Sequence, residues 1–208
     1  MQALSSMVYS VNTEPMFTGI IETMGEVTAI RDEGSNRHFT LASKITNEFK
    51  IDQSISHNGV CLTVVAINGS NYTVTAIKET LQRTNLSDWT IGTKVNIERC
   101  MPANGRFDGH IVQGHVDTVA ICASVIDENG SWVYHFSLEN EGLTVEKGSI
   151  TVNGTSLTVV DSHPKSFSVA IIPYTYENTV FKFLKKGDKV NIEFDIVGKY
   201  IARLVQKS

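Results

Sequence analysis

The sequence predicts an all-β chain built twice over, each half a barrel or a sandwich, with one short helix at its end. Three observations carry this. His57-Asn58-Gly59-Val60-Cys61-Leu62-Thr63-Val64-Val65 recurs as Val152-Asn153-Gly154-Thr155-Ser156-Leu157-Thr158-Val159-Val160, 95 positions later. Laid over each other without a gap, residues 54–98 and 149–193 share 18 of 45 positions, which makes duplication the organising fact. Short runs rich in β-branched residues alternate with Gly, Asn, Asp and Ser at spacings of roughly 8 to 12 residues, the texture of barrels and sandwiches. Only residues 197–206 show a helical period, with Tyr200, Ile201, Leu204 and Val205 on one stripe.

In chain order, residues 16–30 hold two apolar runs broken at Gly25, and residues 38–42 alternate as a half-buried strand does. Residues 60–67 and 72–77 flank Asn68-Gly69-Ser70-Asn71, a hairpin signal. Residues 79–89 lose strand texture at Thr84-Asn85-Leu86-Ser87 and suit a short helical turn, after which residues 95–99 close the first unit. Arg106-Phe107-Asp108-Gly109-His110 opens the second, with strands expected at 132–138, 156–160, 167–172 and 189–194. Gly19-Ile20-Ile21-Glu22 is loosely echoed by His110-Ile111-Val112-Gln113, which sets His115 opposite Met24. The division expected is a disordered leader at 1–15, barrels at 16–104 and 105–197, and a C-terminal helix at 198–208. That helix has no cover nearby in sequence and is expected to bury its stripe against another subunit.

Composition narrows the function. The chain has 208 residues, 41% hydrophobic and 19% charged, with a net charge of −4. That charge disfavours a nucleic-acid binder, which normally presents a basic face. No apolar run approaches the ~20 residues of a membrane span. Cys61, Cys100 and Cys122 are an odd number without C-x-x-C spacing, so neither a disulfide framework nor a zinc site is expected, and a reducing cytosol is the default.

Strand alternation sends Leu62 and Val64 to one face and Cys61, Thr63 and Val65 to the other; in the second copy Leu157 and Val159 turn inward and Ser156, Thr158 and Val160 outward. Each barrel thus shows a strip of small hydroxyl- or thiol-bearing residues, joined by a second matched pair, Thr80 and Thr175. Taken singly these are ordinary solvated positions. Matched in both copies, they suit a planar heterocycle held by hydroxyls and backbone amides, with the other barrel's pocket as the lid.

Met16-Phe17-Thr18-Gly19-Ile20, His57-Asn58-Gly59-Val60-Cys61-Leu62-Thr63, Lys78-Glu79-Thr80, Gly109-His110-x-x-x-Gly114-His115-Val116-Asp117 and Asn153-Gly154-Thr155-Ser156-Leu157-Thr158 together resemble riboflavin synthase of the trimeric α-chain type, from Met16 to the C-terminal helix. The resemblance implies two tandem six-stranded Greek-key β-barrels plus the short helix. It implies a cytoplasmic transferase without cofactor or metal, performing the last step of riboflavin biosynthesis. Two molecules of 6,7-dimethyl-8-ribityllumazine would give riboflavin and 5-amino-6-ribitylaminouracil by passage of a four-carbon unit. A homotrimer is implied, with the site between the N-terminal barrel of one subunit and the C-terminal barrel of its neighbour. Lumazine synthase is a candidate partner; nucleic acid and membrane are not.

By position in that family, the first pocket takes Gly19 and Ile20, with Ile21 beside them, then Cys61, Leu62, Thr63, Thr75, Ala76, Ile77, Lys78, Glu79, Thr80, Gly114, His115 and Val116. The second takes Lys147, Ser156, Leu157, Thr158, Ile172, Pro173, Tyr174, Thr175, Tyr176 and Glu177, with Asp195 contacting ribityl hydroxyls or supporting the site. His115 is either a proton carrier or a structural histidine in a Gly-rich bend. Cys61 is either a thiolate nucleophile or a packing and binding residue, since no sequence neighbour favours its thiolate. Ser156 is read as a donor to the ring or polariser of a water, and Lys147 as a contact to the ribityl chain or pyrimidine edge, or else a solvated lysine. Positions where the copies disagree should separate donor from acceptor: Cys61 against Ser156, His57 against Val152, Lys78-Glu79 against Pro173-Tyr174. Many relatives carry Asp where this chain has Asn153, so Asn153 receives only a structural role.

Three other readings fit the sequence less well. A non-catalytic lumazine-binding antenna protein typically lacks the second motif, which stands intact here. A flavin reductase would need an Arg-x-Tyr-Ser type motif and a nucleotide-binding α/β half. An OB-like nucleic-acid module would need a basic groove.

Overall fold

Each half of the chain supplies six antiparallel strands that close into a barrel in the computed structural model, which describes residues 16–102 and 104–205. The first barrel comprises β1 (Thr23–Glu33), β2 (Asn36–Ala42), β3 (Ser54–His57), β4 (Val60–Asn68), β5 (Asn71–Ala76) and β6 (Lys94–Arg99), in the Greek-key order β1-β2-β5-β4-β3-β6. The second repeats that order with β7 (Thr118–Asp127), β8 (Trp132–Leu138), β9 (Ser149–Val152), β10 (Thr155–His163), β11 (Ser166–Ile171) and β12 (Lys189–Phe194). Even the irregularities repeat: the register of β1 on β2 shifts between Val27 and Ala29, and that of β7 on β8 between Cys122 and Ser124. The expected leader at 1–15 lies outside the described residues. No helix among the described residues is long and apolar enough to cross a membrane.

The strands depart from expectation at Gly25, and β3, β7 and β9 form where no strand was expected. β1 runs unbroken through Gly25, where a Cβ would crowd the Ala42 carbonyl oxygen at 3.2 Å and Ile97 at 3.3 Å. The glycine admits a neighbouring strand instead of breaking its own. β7 was not expected as a strand. Its inward residues include the small Ala120 and Cys122, while the apolar Val119 and Ile121 point outward, so alternation is blurred.

Each barrel has its own core. Phe39, Leu41, Ile55, Leu62, Val64, Tyr72, Val74 and Ile97 fill the first; Tyr134, Phe136, Ile150, Val152, Val159, Phe167, Val169 and Ile192 fill the second. Fully burying side chains of this kind contributes roughly 1.5–3 kcal/mol apiece. His57, one of the positions expected to separate donor from acceptor, sits inside this core. Its Nδ1 lies 3.0 Å from the Ile55 carbonyl oxygen and its Nε2 2.8 Å from the Tyr72 hydroxyl. Burial holds its imidazole at about 4. The second barrel replaces the pair by Val152 and Phe167, both buried, so the His57 difference is one of packing.

After β5 and β11 the chain makes matched short helices, α1 (Lys78–Arg83) and α2 (Pro173–Asn178), each followed by a single 3₁₀ turn. Thr84 and Thr179 close them identically, donating to the Thr80 and Thr175 carbonyls at 2.7 Å. The last helix, α3 (Ile196–Val205), begins at Asp195, whose carboxylate accepts the Val197 N–H at 2.9 Å.

Four asparagines join the barrels about a local two-fold axis. Asn58 and Asn153 hold the tight turns at φ of 46° and 45°, and their side-chain oxygens accept the Asn96 and Asn191 N–H groups at 2.7 and 2.8 Å. Asn96 then reaches across, donating to the Asn153 carbonyl at 2.9 Å and accepting the Val180 N–H at 2.8 Å. Asn191 does the reverse, to the Asn58 carbonyl and from the Asn85 N–H. All four are buried, with every side-chain oxygen and both crossing amide groups paired, so the join is specific.

Candidate active site

Two short segments precede the first strand of each barrel, residues 16–20 and 111–115, and a buried carboxylate pins each one. The N–H groups of Thr18 and Gly19 donate to Glu98 at 2.7 and 3.0 Å, and the Thr18 hydroxyl adds a bond at 2.9 Å. The N–H groups of Gln113, Gly114 and His115 donate to Glu193 at 2.8, 2.9 and 3.1 Å. Burial pushes both carboxyls up to about 7, against donors that favour the anion. The segments pair with each other at Phe17 and Val112.

Each segment then reaches the opposite barrel. The Ser156 N–H donates to the Gly19 carbonyl at 2.8 Å, and the Cys61 N–H to the Gly114 carbonyl at 2.9 Å. Both glycines stand at φ +77°, and a Cβ would lie 2.6 Å from Ser156 Cβ or 2.7 Å from Cys61 Cβ. Glycine is required at each on both counts.

This crossing corrects two expectations. Gly19 belongs to the wall beside Ser156 of the second barrel and not to the Cys61 pocket; Ile20 turns back to a cleft of 510 Å³ with Gln53, Glu98 and Cys100 on the first. The counterpart of Gly19 is Gly114, so His115 answers Ile20 and not Met24, at the same offset of 95 seen elsewhere. The Gly-rich stretch before Gly114 had blurred that match.

Ser156 has a partner that sequence reasoning did not single out. The His110 Nδ1 lies 2.7 Å from Ser156 Oγ, and its Nε2 lies 3.1 Å from Thr151 Oγ1. With the ring proton on Nε2, that N–H donates to Thr151 and Nδ1 accepts from Ser156. Burial holds the imidazole below its ordinary range, partly offset by the Asp195 charge. It is therefore neutral at neutral pH, with one ring nitrogen able to accept a proton. A signal existed: His110 stands inside the motif Gly109-His110-x-x-x-Gly114-His115, where the wrong pairing with Gly19 hid it. Gly109 is needed there because a Cβ would stand 2.0 Å from the Thr18 carbonyl oxygen.

The first barrel has no such arrangement among the described residues. Cys61 and Ser56 occupy the positions of Ser156 and Thr151, and the buried Ser56 hydroxyl has no partner. Burial pushes the Cys61 thiol up and the Glu193 charge adds to this, which disfavours a thiolate.

Of the other expected residues, Thr63, Thr158, Ile77, Lys78, Glu79, Ile172, Pro173, Tyr174, Glu177 and Lys147 are exposed around the two strips, as is His115. Leu62 and Ala76 turn into the barrel core and offer a ligand only their backbone. The Thr75 hydroxyl lies 2.9 Å from His38 Nδ1, and Tyr176 stacks on Trp132 with ring centres 3.7 Å apart. Among the described residues no three His, Cys, Asp or Glu side chains cluster as metal ligands do.

A lumazine-binding domain model matches residues 18–100 and again 113–195. The riboflavin synthase of Bacillus amyloliquefaciens is 42% identical over 197 residues, covering 93% of this chain and 91% of its own. That of Saccharomyces cerevisiae (strain ATCC 204508 / S288c) is 39% identical over 205 residues, covering 91% and 86%. Among solved structures, LumP complexed with 6,7-dimethyl-8-(1'-D-ribityl) lumazine superposes with a TM-score of 0.79 at 20% identity, over 86% of this chain and 98% of that one. At that identity the likeness speaks for the double-barrel fold alone. With both domains matched and end-to-end likeness to these synthases, the chain belongs to the riboflavin synthase family, transferases of riboflavin biosynthesis.

Proposed function

We propose that the chain converts two molecules of 6,7-dimethyl-8-ribityllumazine into one riboflavin and one 5-amino-6-ribitylaminouracil at a site formed between subunits of a homotrimer. One observation carries this: the two barrels present matched strips that differ in chemistry, with Ser156 and His110 on one and Cys61 and Ser56 on the other. A dismutation needs two like cradles for two like molecules, and unlike groups to make one a donor and the other an acceptor. Both strips are open. Thr63, Ile77, Thr158 and Ile172 lie on the surface, so exclusion of water calls for a cover, and a neighbouring subunit's strip supplies one. Stacking both rings would provide much of the rate gain through orientation.

The His110 ring is placed to take a proton from Ser156 or from a water beside it, activating an oxygen nucleophile toward the bound ring. His115, exposed on the companion segment, serves as the second proton carrier. The α1 and α2 N-termini have no side-chain cap, and apart from Pro173, which has no N–H, their first-turn amides are available to the pyrimidine edge. Lys147 and Asp195 contact the ribityl chain, and residues 198–208 form the boundary with the neighbouring subunit. A cytoplasmic setting, and lumazine synthase as supplier of the substrate, complete the reading.

The test is turnover. Purified protein given the lumazine alone should form riboflavin, followed by its absorbance. Ser156→Ala, His110→Gln and His115→Ala should each lower kcat by about 100-fold while weakening ligand binding far less. Binding without turnover in the wild type would reduce the protein to a carrier of lumazine.

A further inference from the structure

The carboxylate of Glu98 stands on the first barrel, yet the groups it organises end on the second. Thr18 and Gly19 donate their N–H groups to Glu98, and their carbonyls point the other way. The Thr18 carbonyl accepts the His110 N–H at 3.1 Å; the Gly19 carbonyl accepts the Ser156 N–H at 2.8 Å. Two adjacent residues therefore carry the position of Glu98 to both members of the Ser156–His110 pair, whose side chains meet at 2.7 Å. There is almost no slack. Glu98 is 4% exposed, and Gly19 and Gly109 each pass so close to Ser156 that a Cβ on either would overlap it. Packing of this kind passes a displacement on instead of absorbing it.

We propose that Glu98 is a positioning residue acting in trans across the barrels: through residues 18 and 19 it sets the distance between His110 and Ser156. Glu193 is its mirror. It fixes Gln113, Gly114 and His115, and the Gly114 carbonyl fixes Cys61 of the first barrel. Each barrel is thus finished by the other's carboxylate, and a site in one half cannot be assembled while the other half is loose. The catalytic consequence rests on the reading of Ser156 and His110 given above; the structural one does not.

Amide hydrogen exchange on the full-length protein without substrate, read by mass spectrometry on peptides containing Cys61, His110 and Ser156, separates the possibilities. Glu98→Gln puts an NH₂ against N–H donors. It should speed exchange at the His110 and Ser156 peptides by about tenfold and leave the Cys61 peptide within about twofold of wild type. Glu193→Gln should do the opposite. Glu98→Asp, which keeps the charge, should restore part of the protection. With lumazine present, Glu98→Gln should lower kcat by about tenfold with KM nearly unchanged. Should Glu98→Gln fail to fold, Thr18→Val removes only the hydroxyl donor and should shift the same two peptides by about threefold. Faster exchange confined to first-barrel peptides, equal in all peptides, or absent from His110 and Ser156 would overturn the proposal. The expected exchange pattern with an unchanged kcat would instead refute the catalytic role of the pair and leave the coupling of Glu98 to its position standing.

Discussion

A buried imidazole that must stay neutral makes a fold sensitive to acid, and His57 is such a residue. Its folded value near 4 lies below the ordinary 6.5, so the unfolded chain binds the extra proton as pH drops between those values. Stability is complete above about 6.5 and falls through that window, by about 3 kcal/mol at most. The second barrel shows the acid-insensitive alternative in Val152 and Phe167. Urea unfolding of the wild type and of His57→Val/Tyr72→Phe at pH 7 and pH 4.5 should show a smaller acid loss in the double variant. Equal losses would mean that His57 is not the residue that titrates. The same scale explains why Cys61 is a poor nucleophile: partial burial pushes its thiol up, and the Glu193 charge adds to this.

At the scale of elements, the joining asparagines are the weakest place to lose one side chain. Asn96→Ala would leave the buried Val180 N–H without its acceptor and remove the donor to the Asn153 carbonyl. That should destabilise the chain by about 2–4 kcal/mol, measured as a lowered urea midpoint; a loss under half a kcal/mol would show the seam to be loosely coupled. Asn96 is visible in the sequence only as part of Lys94-Val95-Asn96-Ile97-Glu98, which recurs as Lys189-Val190-Asn191-Ile192-Glu193, with no hint that its amide leaves its own barrel. The hairpin at Asn68-Gly69 and the helical turn after β5 were legible because turn chemistry is local, whereas the matching turn after β11 was not expected. β7 was not, because its outward face is as apolar as its inward one. The crossing of residues 16–20 and 111–115 was illegible for a different reason: Gly19 and Ser156 are 137 positions apart, and nothing in either neighbourhood names the other. The outer strips were read correctly from alternation, whereas the imidazole serving one of them was missed because it arrives from a loop.

For the whole molecule, the open question of assembly is concentrated in α3. Val197, Tyr200, Ile201 and Leu204 follow one another at helical spacing and are 55% to 68% exposed, a stripe wide enough to seat against another copy. Removing residues 198–208 should shift sedimentation from trimer toward monomer and lower activity in parallel, with both barrels still folded by circular dichroism; an intact trimer would place the assembly contact elsewhere. Holding two halves together does not require them to stay alike. Asn96 and Asn191 grip main-chain amides at residues 180 and 85, where the side chains are Val and Asn, and the Asn85 Oδ1 has no partner among the described residues. A fastening that grasps mainly backbone is indifferent to most of what grows from it. After the ancestral gene was copied, each twin was at liberty to drift toward its own task without coming unbuttoned from its sibling.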